Sequence, residues 1–567
     1  MGIKFTDTDK KATEVYKKVV NMPGYNVDNS RAQYKWYTGE ELLKRLDNKA
    51  EQKYKKRYVY NDLMFFLRNY GNDMCALYGL RRTGKSVLMR QAIRELIEID
   101  KINPKEIAYI TFNKSTNYTD DTLVKEVRTL SKIVKYFFID EVSYINMELE
   151  NNALNLLADE FATSGIKFVF AGTFSYAIKL LTLDIWLGRL YLINTTYFSF
   201  KEAHNVFGYD IEYFIQNGGI INENTKMTPQ EYMKTAVTDN IVESLLKSEK
   251  IYELAYINKD IKAALDNKKQ LKQTLIVLIK RIIDSYMRIL FYNKITKENY
   301  KFSDVGNLAD LIRQRSERDN YEDTMLSIIQ IPEKKYQEML QNFIGKISNQ
   351  DISEKFFNEI LIILKQIGLI EDIYLNNAHE SCFITNYLRY GLCEEILYEL
   401  SDTVTTDTQG RYNISLASDN LKGGILEGII DLDLQHTNRY NFDKYRNADN
   451  YEVDVIIKNS NRTMDLYEVK HSSLPLDTHA KNLLNRDFIN EIEQVMGYKV
   501  VSYNVIYNGQ KMTKQINPEQ VFRAEKEYSI RQGGKKRWGN LEQRAKTFDW
   551  DDITVNFINA TEFLCNI

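Results

Sequence analysis

The sequence is poor in the residues that staple, kink or anchor a chain. Four cysteines occur in 567 residues, Cys75, Cys382, Cys393 and Cys565. They lie far apart or eleven residues apart, which gives neither a disulfide framework nor zinc-ligand spacing, so reduced structural thiols are expected. Six prolines leave long stretches free to be helical. No sign of charge dominates, since 76 Lys and Arg face 78 Asp and Glu for a net charge of -2. A chain that is basic throughout is excluded, and any nucleic-acid contact must be local. Long hydrophobic runs are also missing. The richest, "LIVLI" at 275–279, is interrupted at once by Lys280 and Arg281, far short of a membrane span. The opening "MGIKFTDTDKKATE" has no secretory core, so a cytoplasmic protein without a membrane partner is expected. The length is too great for one core and predicts three or four domains.

What is present begins with "YFFIDEVSYI" at 136–145, where Asp140 and Glu141 follow a run of bulky apolar residues. Such a run reads as a strand covered on both faces, with the acids emerging at its carboxyl end. Their partner lies upstream in "GLRRTGKS", a complete G-x-x-x-x-G-K-S phosphate-binding loop from Gly79 to Ser86. Gly79 and Gly84 permit backbone conformations and close approaches that a side chain forbids. Loop amides and the following helix N-terminus point at the β-phosphate. Lys85 adds charge at the β/γ-phosphates, and Ser86 offers a hydroxyl to Mg²⁺. Asp140 is assigned to that Mg²⁺, directly or through water, and Glu141 to polarising the attacking water. The expected cofactors are ATP and Mg²⁺. Arg81 within the loop, Thr173 at the end of "FAGTF" and Arg189 in "LGRLYL" are further candidates near the nucleotide. For Arg189 three roles stand open: phosphate charge stabilisation in cis, the same in a neighbouring subunit, or a structural ion pair.

Strands are predicted at 74–79, 107–112, 136–140, 166–172 and 190–194, with helical patterns between most of them, which indicates a parallel sheet. From 206 to about 400 the pattern is nearly all helical. In "EKFFNEILIILKQIGLI" one face carries Phe356, Phe357, Ile360, Leu361 and Leu364, with Gly368 as the stop. From about 405 a helix leads into short strands, another helix and another strand. Within them "YEVDVIIKNSNRTMDLYEVKHSS" sets Asp454 before Glu468-Val469-Lys470. In a hairpin, alternation puts Glu468 and Lys470 on one face, and Asp454 on the adjoining strand approaches Glu468. Two such carboxylates suit one Mg²⁺. Lys470 then orients or deprotonates a water, or stabilises charge at phosphorus. His471 and His479 read as surface residues. Arg531, Lys535, Lys536 and Arg537 beside Trp538 form a basic segment that suits either a phosphate backbone or plain solvent.

"GLRRTGKS", "FFIDEV", "VFAGTFSY", "LGRLYLINTTYFSFKEA" and "FIQNGG" occur in this order in a family of bacterial and archaeal AAA+-like ATPases, which the chain resembles from about residue 56 to 567. The resemblance implies an α/β fold class in three parts. An AAA+-like P-loop core with a parallel sheet spans 56–205, and a helical, winged-helix-like segment spans 206–404. A restriction-endonuclease-like domain of the PD-(D/E)XK type follows at 405–567, and residues 1–55 are an extension that the resemblance does not cover. Ile220 stands after Gly218 and Gly219 where the family usually has proline. The resemblance also makes Glu427 an additional acid supporting the metal, and gives Gln494 and Tyr498 the Q-x-x-x-Y spacing of some of these nucleases. It implies an ATPase coupled to metal-dependent DNA binding or cleavage, with DNA, a second copy or a protein partner. The alternative is a non-cutting ATP switch or remodelling ATPase whose last domain binds DNA or protein.

Overall fold

The computed structural model describes residues 36–47, 54–69, 74–80, 82–112, 120–142, 153–161, 164–172, 190–219, 360–365, 368–374, 379–383, 408–447, 451–531 and 551–567, with isolated positions between 221 and 390. Five short strands form the first sheet: β1 (Met74–Tyr78), β2 (Ile107–Thr111), β3 (Tyr136–Asp140), β4 (Lys167–Gly172) and β5 (Leu190–Asn194). All neighbours are parallel, in the order β2-β3-β4-β1-β5, as the apolar runs predict. Alternate residues feed two cores. Ala76, Ile110, Phe137, Ile139, Phe168 and Phe170 pack with Leu123 and Val127 of the helix Asp120–Leu130. Cys75, Leu77, Tyr109, Phe138 and Val169 face Leu88, Ala92, Ile93 and Leu96 of the helix Lys85–Glu98. Both faces of β1–β4 are therefore covered, which is why these strands read as continuous apolar runs, whereas the edge strand β5 leaves Leu192 exposed.

The second sheet contains β8 (Asn441–Arg446), β9 (Glu452–Lys458), β10 (Thr463–Val469), β11 (Lys499–Tyr507), β12 (Met512–Ile516) and β13 (Ile553–Asn559), in the order β12-β13-β11-β10-β9-β8. It is mixed: β8-β9-β10 is an antiparallel run, β10-β11-β13 is parallel, and β12 returns antiparallel. Its core joins Val453, Met464, Leu466, Val505 and Phe557 to Phe488 and Ile492 of the helix Arg486–Met496. Of the middle segment, Ile360–Lys365 is helical, and Gly368 (φ 69°) ends it, with the Leu369 N–H donating to the Leu364 carbonyl. Phe356 and Phe357 lie outside the described residues. A small antiparallel pair follows, β6 (Ile370–Tyr374) and β7 (His379–Phe383).

One helix, Thr408–Thr437, ties these parts together. Asp433 accepts hydrogen bonds from the Tyr197 hydroxyl at 2.6 Å and the Phe200 N–H at 3.1 Å. Gln435 and His436 both reach Glu371 of β6, at 2.7 and 2.8 Å, and the His436 ring stacks on Tyr197. Among the described residues no helix is long and apolar enough to cross a membrane.

Candidate functional sites

The loop after β1 has the shape that its glycines predict. Gly79 (φ 147°) cannot carry a side chain, because a Cβ would lie 2.6 Å from Thr195 Oγ1 and 2.7 Å from Thr196 Oγ1. Gly84 (φ 87°) caps the helix Lys85–Glu98 in the left-handed region, where glycine is at no disadvantage. Lys85 Nζ rests on the carbonyls of Gly79 (3.1 Å) and Leu80 (2.7 Å). Lys85, Ser86, Gly84, Arg82, Val87, Phe112 and Glu141 line one cavity of about 510 Å³. The loop is braced from the end of β5: Thr83 Oγ1 meets Thr195 Oγ1 at 2.7 Å, and Thr196 Oγ1 accepts from the Leu80 N–H.

The opening acids divide their roles by position. Asp140 is buried, and its carboxylate accepts from the Tyr109 hydroxyl and the Glu141 N–H, both at 3.0 Å. Burial first, and then Asp140, push the Tyr109 hydroxyl upward, so it stays a donor. Arg90 donates to the same oxygen at 3.4 Å. Glu141 holds a left-handed backbone (φ 54°) and faces the cavity. For a residue with a Cβ that conformation costs on the order of 1 kcal/mol, so the fold aims this side chain against local preference.

The ATPase side has a second support that the sequence reading missed. Arg57 is buried and pairs with Glu202 at 2.9 Å, while its other nitrogens donate to the carbonyls of Thr83, Thr195 and Tyr197. One guanidinium thus fixes the phosphate loop to the chain leaving β5. Nothing local marks Arg57 in "YKKRYVYNDL", because its partners lie at least 26 residues away.

Residues 71–204 match the family model described as "AAA domain". This part of the chain is an AAA+-like P-loop ATPase domain. No curated protein matches the sequence. Among solved structures, the Aeropyrum pernix ORC2 protein in ADPNP and ADP complexes is 12% identical, with 64% of this chain and 98% of that one covered at a TM-score of 0.29. The A. pernix ORC1 protein in complex with DNA is 11% identical over 63% and 97%, with a TM-score of 0.22. AMPPCP-bound DnaA from Aquifex aeolicus is 13% identical over 55% and 91%, at 0.23. Arg81, Thr173 and Arg189, expected near the nucleotide of the AAA domain, lie outside the described residues.

The carboxy-terminal constellation forms at the end of the β9–β10 hairpin. The register ends at Tyr467 opposite Val455, so one step on Glu468 comes across from Asp454. Lys470 Nζ donates to both carboxylates, at 2.6 Å to Glu468 and 3.3 Å to Asp454. Asp454 also accepts from the Val469 N–H at 2.7 Å, and Glu468 from Asn482 at 3.0 Å. Burial would lower the Lys470 ammonium, but Asp454 and Glu468 outweigh it and raise it well above the usual lysine range. Lys470 is therefore a charged donor in this arrangement. Burial pushes Glu468 up to about 7 against the pull of Lys470. Glu427, on the helix Thr408–Thr437, is raised far above its usual range by burial and then by Asp454. It stands within electrostatic reach of the pair. Among the described residues no three His, Cys, Asp or Glu side chains gather closely enough to hold a metal.

Other expectations distribute differently. Gln494 is exposed on its helix, and Lys458 lies over the Tyr498 ring rather than joining it to the acids. His471 is not a plain surface residue: its Nε2 pairs with Glu212. His479 Nδ1 is buried without a hydrogen-bond partner, and burial followed by Lys470 and Lys514 lowers the ring to about 4. Arg531 ends the helix Pro518–Arg531, and residues 535–538 lie outside the described residues.

Proposed function

We propose that nucleotide binding and turnover in the AAA+-like domain control a metal-dependent DNA nuclease formed by the carboxy-terminal sheet. The observation that carries this reading is the lysine at the tip of β10 that contacts both Asp454 and Glu468. Asp454 and Glu468 are buried, and a half-buried lysine bridging two buried carboxylates is not what charges scattered on a solvated strand produce. On the ATPase side Lys85 would meet the β/γ-phosphates, Ser86 and Asp140 would hold Mg²⁺, and Glu141, which lines the same cavity as Lys85 and Ser86, would orient the attacking water. On the nuclease side Asp454 and Glu468 are the residues that would hold Mg²⁺, with Glu427 in support. That ion, when bound, polarises a phosphodiester and lowers the pKa of its water. Lys470, held as an ammonium, stabilises charge developing at phosphorus.

A second reading has an observation of its own. The described residues contain no three-ligand metal group, which favours a nuclease-like domain that binds DNA or a partner without cutting. One experiment separates the two: purified protein incubated with plasmid and linear DNA, with Mg²⁺ or Mn²⁺, with and without ATP. Cleavage that disappears in Asp454→Ala supports the nuclease. Nucleotide-dependent DNA binding without any cleavage supports the switch.

A further inference from the structure

Glu212 sits in the first turn of the helix Ile211–Asn217, just beyond the AAA match. Its Oε1 accepts from His471 Nε2 and from Asn508 Nδ2 at 3.0 Å, and its Oε2 accepts from Lys422 Nζ at 3.3 Å. Each donor belongs to a segment that builds the acid–lysine site. His471 directly follows Lys470. Asn508 follows β11, whose Ile506 carbonyl accepts from the Lys470 N–H, and its own N–H donates to the Ser472 carbonyl. Lys422 precedes Glu427 on the helix Thr408–Thr437. The hydrogen bond from His471 outweighs partial burial and holds Glu212 down at about 2, so it is ionised at any neutral pH.

The other end of the same segment touches the nucleotide loop. After the helix come Gly218 and Gly219, which have no room for side chains against Phe214, Asn386 and Thr385. The Ile221 N–H then donates to the Arg82 carbonyl at 3.0 Å, and its Cδ1 lies 3.2 Å from where a Cβ on Gly84 would be. Arg82 and Gly84 line the nucleotide cavity.

We propose that Glu212 is a positioning residue for the acid–lysine site, supplied from the ATPase side, and that the stretch from Glu212 to Ile221 makes the placement of Lys470 depend on nucleotide occupancy. A phosphate in the loop competes with the Gly79 and Leu80 carbonyls for Lys85. The loop backbone that shifts in response is pinned to Ile221. A single short helix then carries the displacement to the carboxylate that grips His471. Linkage is reciprocal, so disturbing the Glu212 cluster must also change nucleotide affinity. The proposal rests on the nuclease-like reading only for what the acid–lysine site does, not for the link itself.

The test uses the full chain and hydrogen–deuterium exchange of the amides at 468–472, with and without ADP or a non-hydrolysable ATP analogue. In the wild type, nucleotide changes exchange in this stretch. Glu212→Ala removes that change and shifts the nucleotide Kd about fivefold or more. Glu212→Gln, which keeps one acceptor, gives an intermediate value. His471→Ala breaks the same contact from the other side, and the double variant is no worse than either single one. The proposal is overturned if nucleotide leaves exchange at 468–472 unchanged in the wild type, or if Glu212→Ala keeps the full nucleotide-dependent change. Should Glu212→Ala fail to fold, His471→Ala and Asn508→Ala carry the same two outcomes. DNA cleavage is no part of the readout, so this proposal and the nuclease reading fail independently.

Discussion

The two candidate sites treat their lysine and carboxylates in opposite ways. At the phosphate loop Lys85 leans on backbone carbonyls, Asp140 is held by a hydroxyl and an N–H, and a cavity of about 510 Å³ separates the loop from Glu141. At the β10 tip Lys470 is already clasped by Asp454 and Glu468, with Glu427 nearby. The first site holds open space between the loop and Glu141, where a ligand can enter. The second has collapsed its charges onto one another. A ligand entering the first gains new electrostatic contacts, whereas one entering the second must first displace an internal ammonium. The difference explains why nucleotide binding is the plainer expectation and why, on the nuclease reading, the placement of Lys470 has to be controlled.

The sharpest break of this comparison is kinetic. Glu141→Gln keeps the shape of the cavity but not the base, so ATP turnover falls about 10²- to 10⁴-fold with nucleotide affinity nearly unchanged. Steady-state hydrolysis beside equilibrium binding checks it, and full turnover in the variant would detach Glu141 from the water. Lys85→Ala removes a charge-assisted contact of about 1.5–3 kcal/mol, and weakens ATP binding roughly 10- to 100-fold.

The sites should also separate. On the nuclease reading, Asp454→Ala and Lys470→Ala abolish Mg²⁺-dependent DNA cleavage and leave ATP hydrolysis at saturating nucleotide within about twofold, since neither side chain lines the nucleotide cavity while the Glu212 contacts that link the sites are kept. A large parallel fall in ATPase rate would mean that the two regions are one unit.

The support beneath the phosphate loop is a larger stability term than any surface pair. Arg57→Ala leaves the buried Glu202 carboxylate with the Tyr58 N–H but no cation, and three carbonyls short of a donor. A loss of about 3–5 kcal/mol is expected, read as a lowered thermal midpoint of the AAA domain that added nucleotide only partly restores.

The smallest effect concerns the joint between the regions. Burial first raises Asp433 from 3.8 to about 6, against the hydrogen bonds from Tyr197 and Phe200. A raised acid binds its proton more tightly in the folded state. Its contribution is therefore complete below pH 3.8 and is lost as pH rises through about 6. Asp433→Asn cannot titrate, so the thermal midpoint of the wild type relative to this variant should fall between those values and level off above them. A flat difference would show that Asp433 does not change protonation there.

Much of this was legible in the chain, for local reasons. The phosphate loop depends on glycines at fixed spacing, so its conformation and its following helix are encoded within eight residues. Four strands of the first sheet, β1–β4, announce themselves because both faces are buried, and Asp140 is conspicuous as an acid at the end of such a run. The Asp454–Glu468–Lys470 cluster was also predictable, because hairpin pairing and period-two alternation place three residues from spacing alone. His471 shows the limit. As one histidine after a strand it reads as solvated, yet the fold sets Glu212 against it from 259 residues away.

The sequence by itself determined the conformation of the glycine-bounded loop after β1 and where the strands of its sheet run, because both follow from contacts within a few residues or from the two-residue period of a strand. Only the tertiary structure decided that Arg57 underpins the phosphate loop, that Tyr109 holds Asp140, that Asp433 ties the helix Thr408–Thr437 to the chain leaving β5, and that Glu212 meets His471. Those contacts pair single polar residues across tens to hundreds of positions. No period or motif records such a pairing, since its stabilisation arises only when packing brings both partners out of water together.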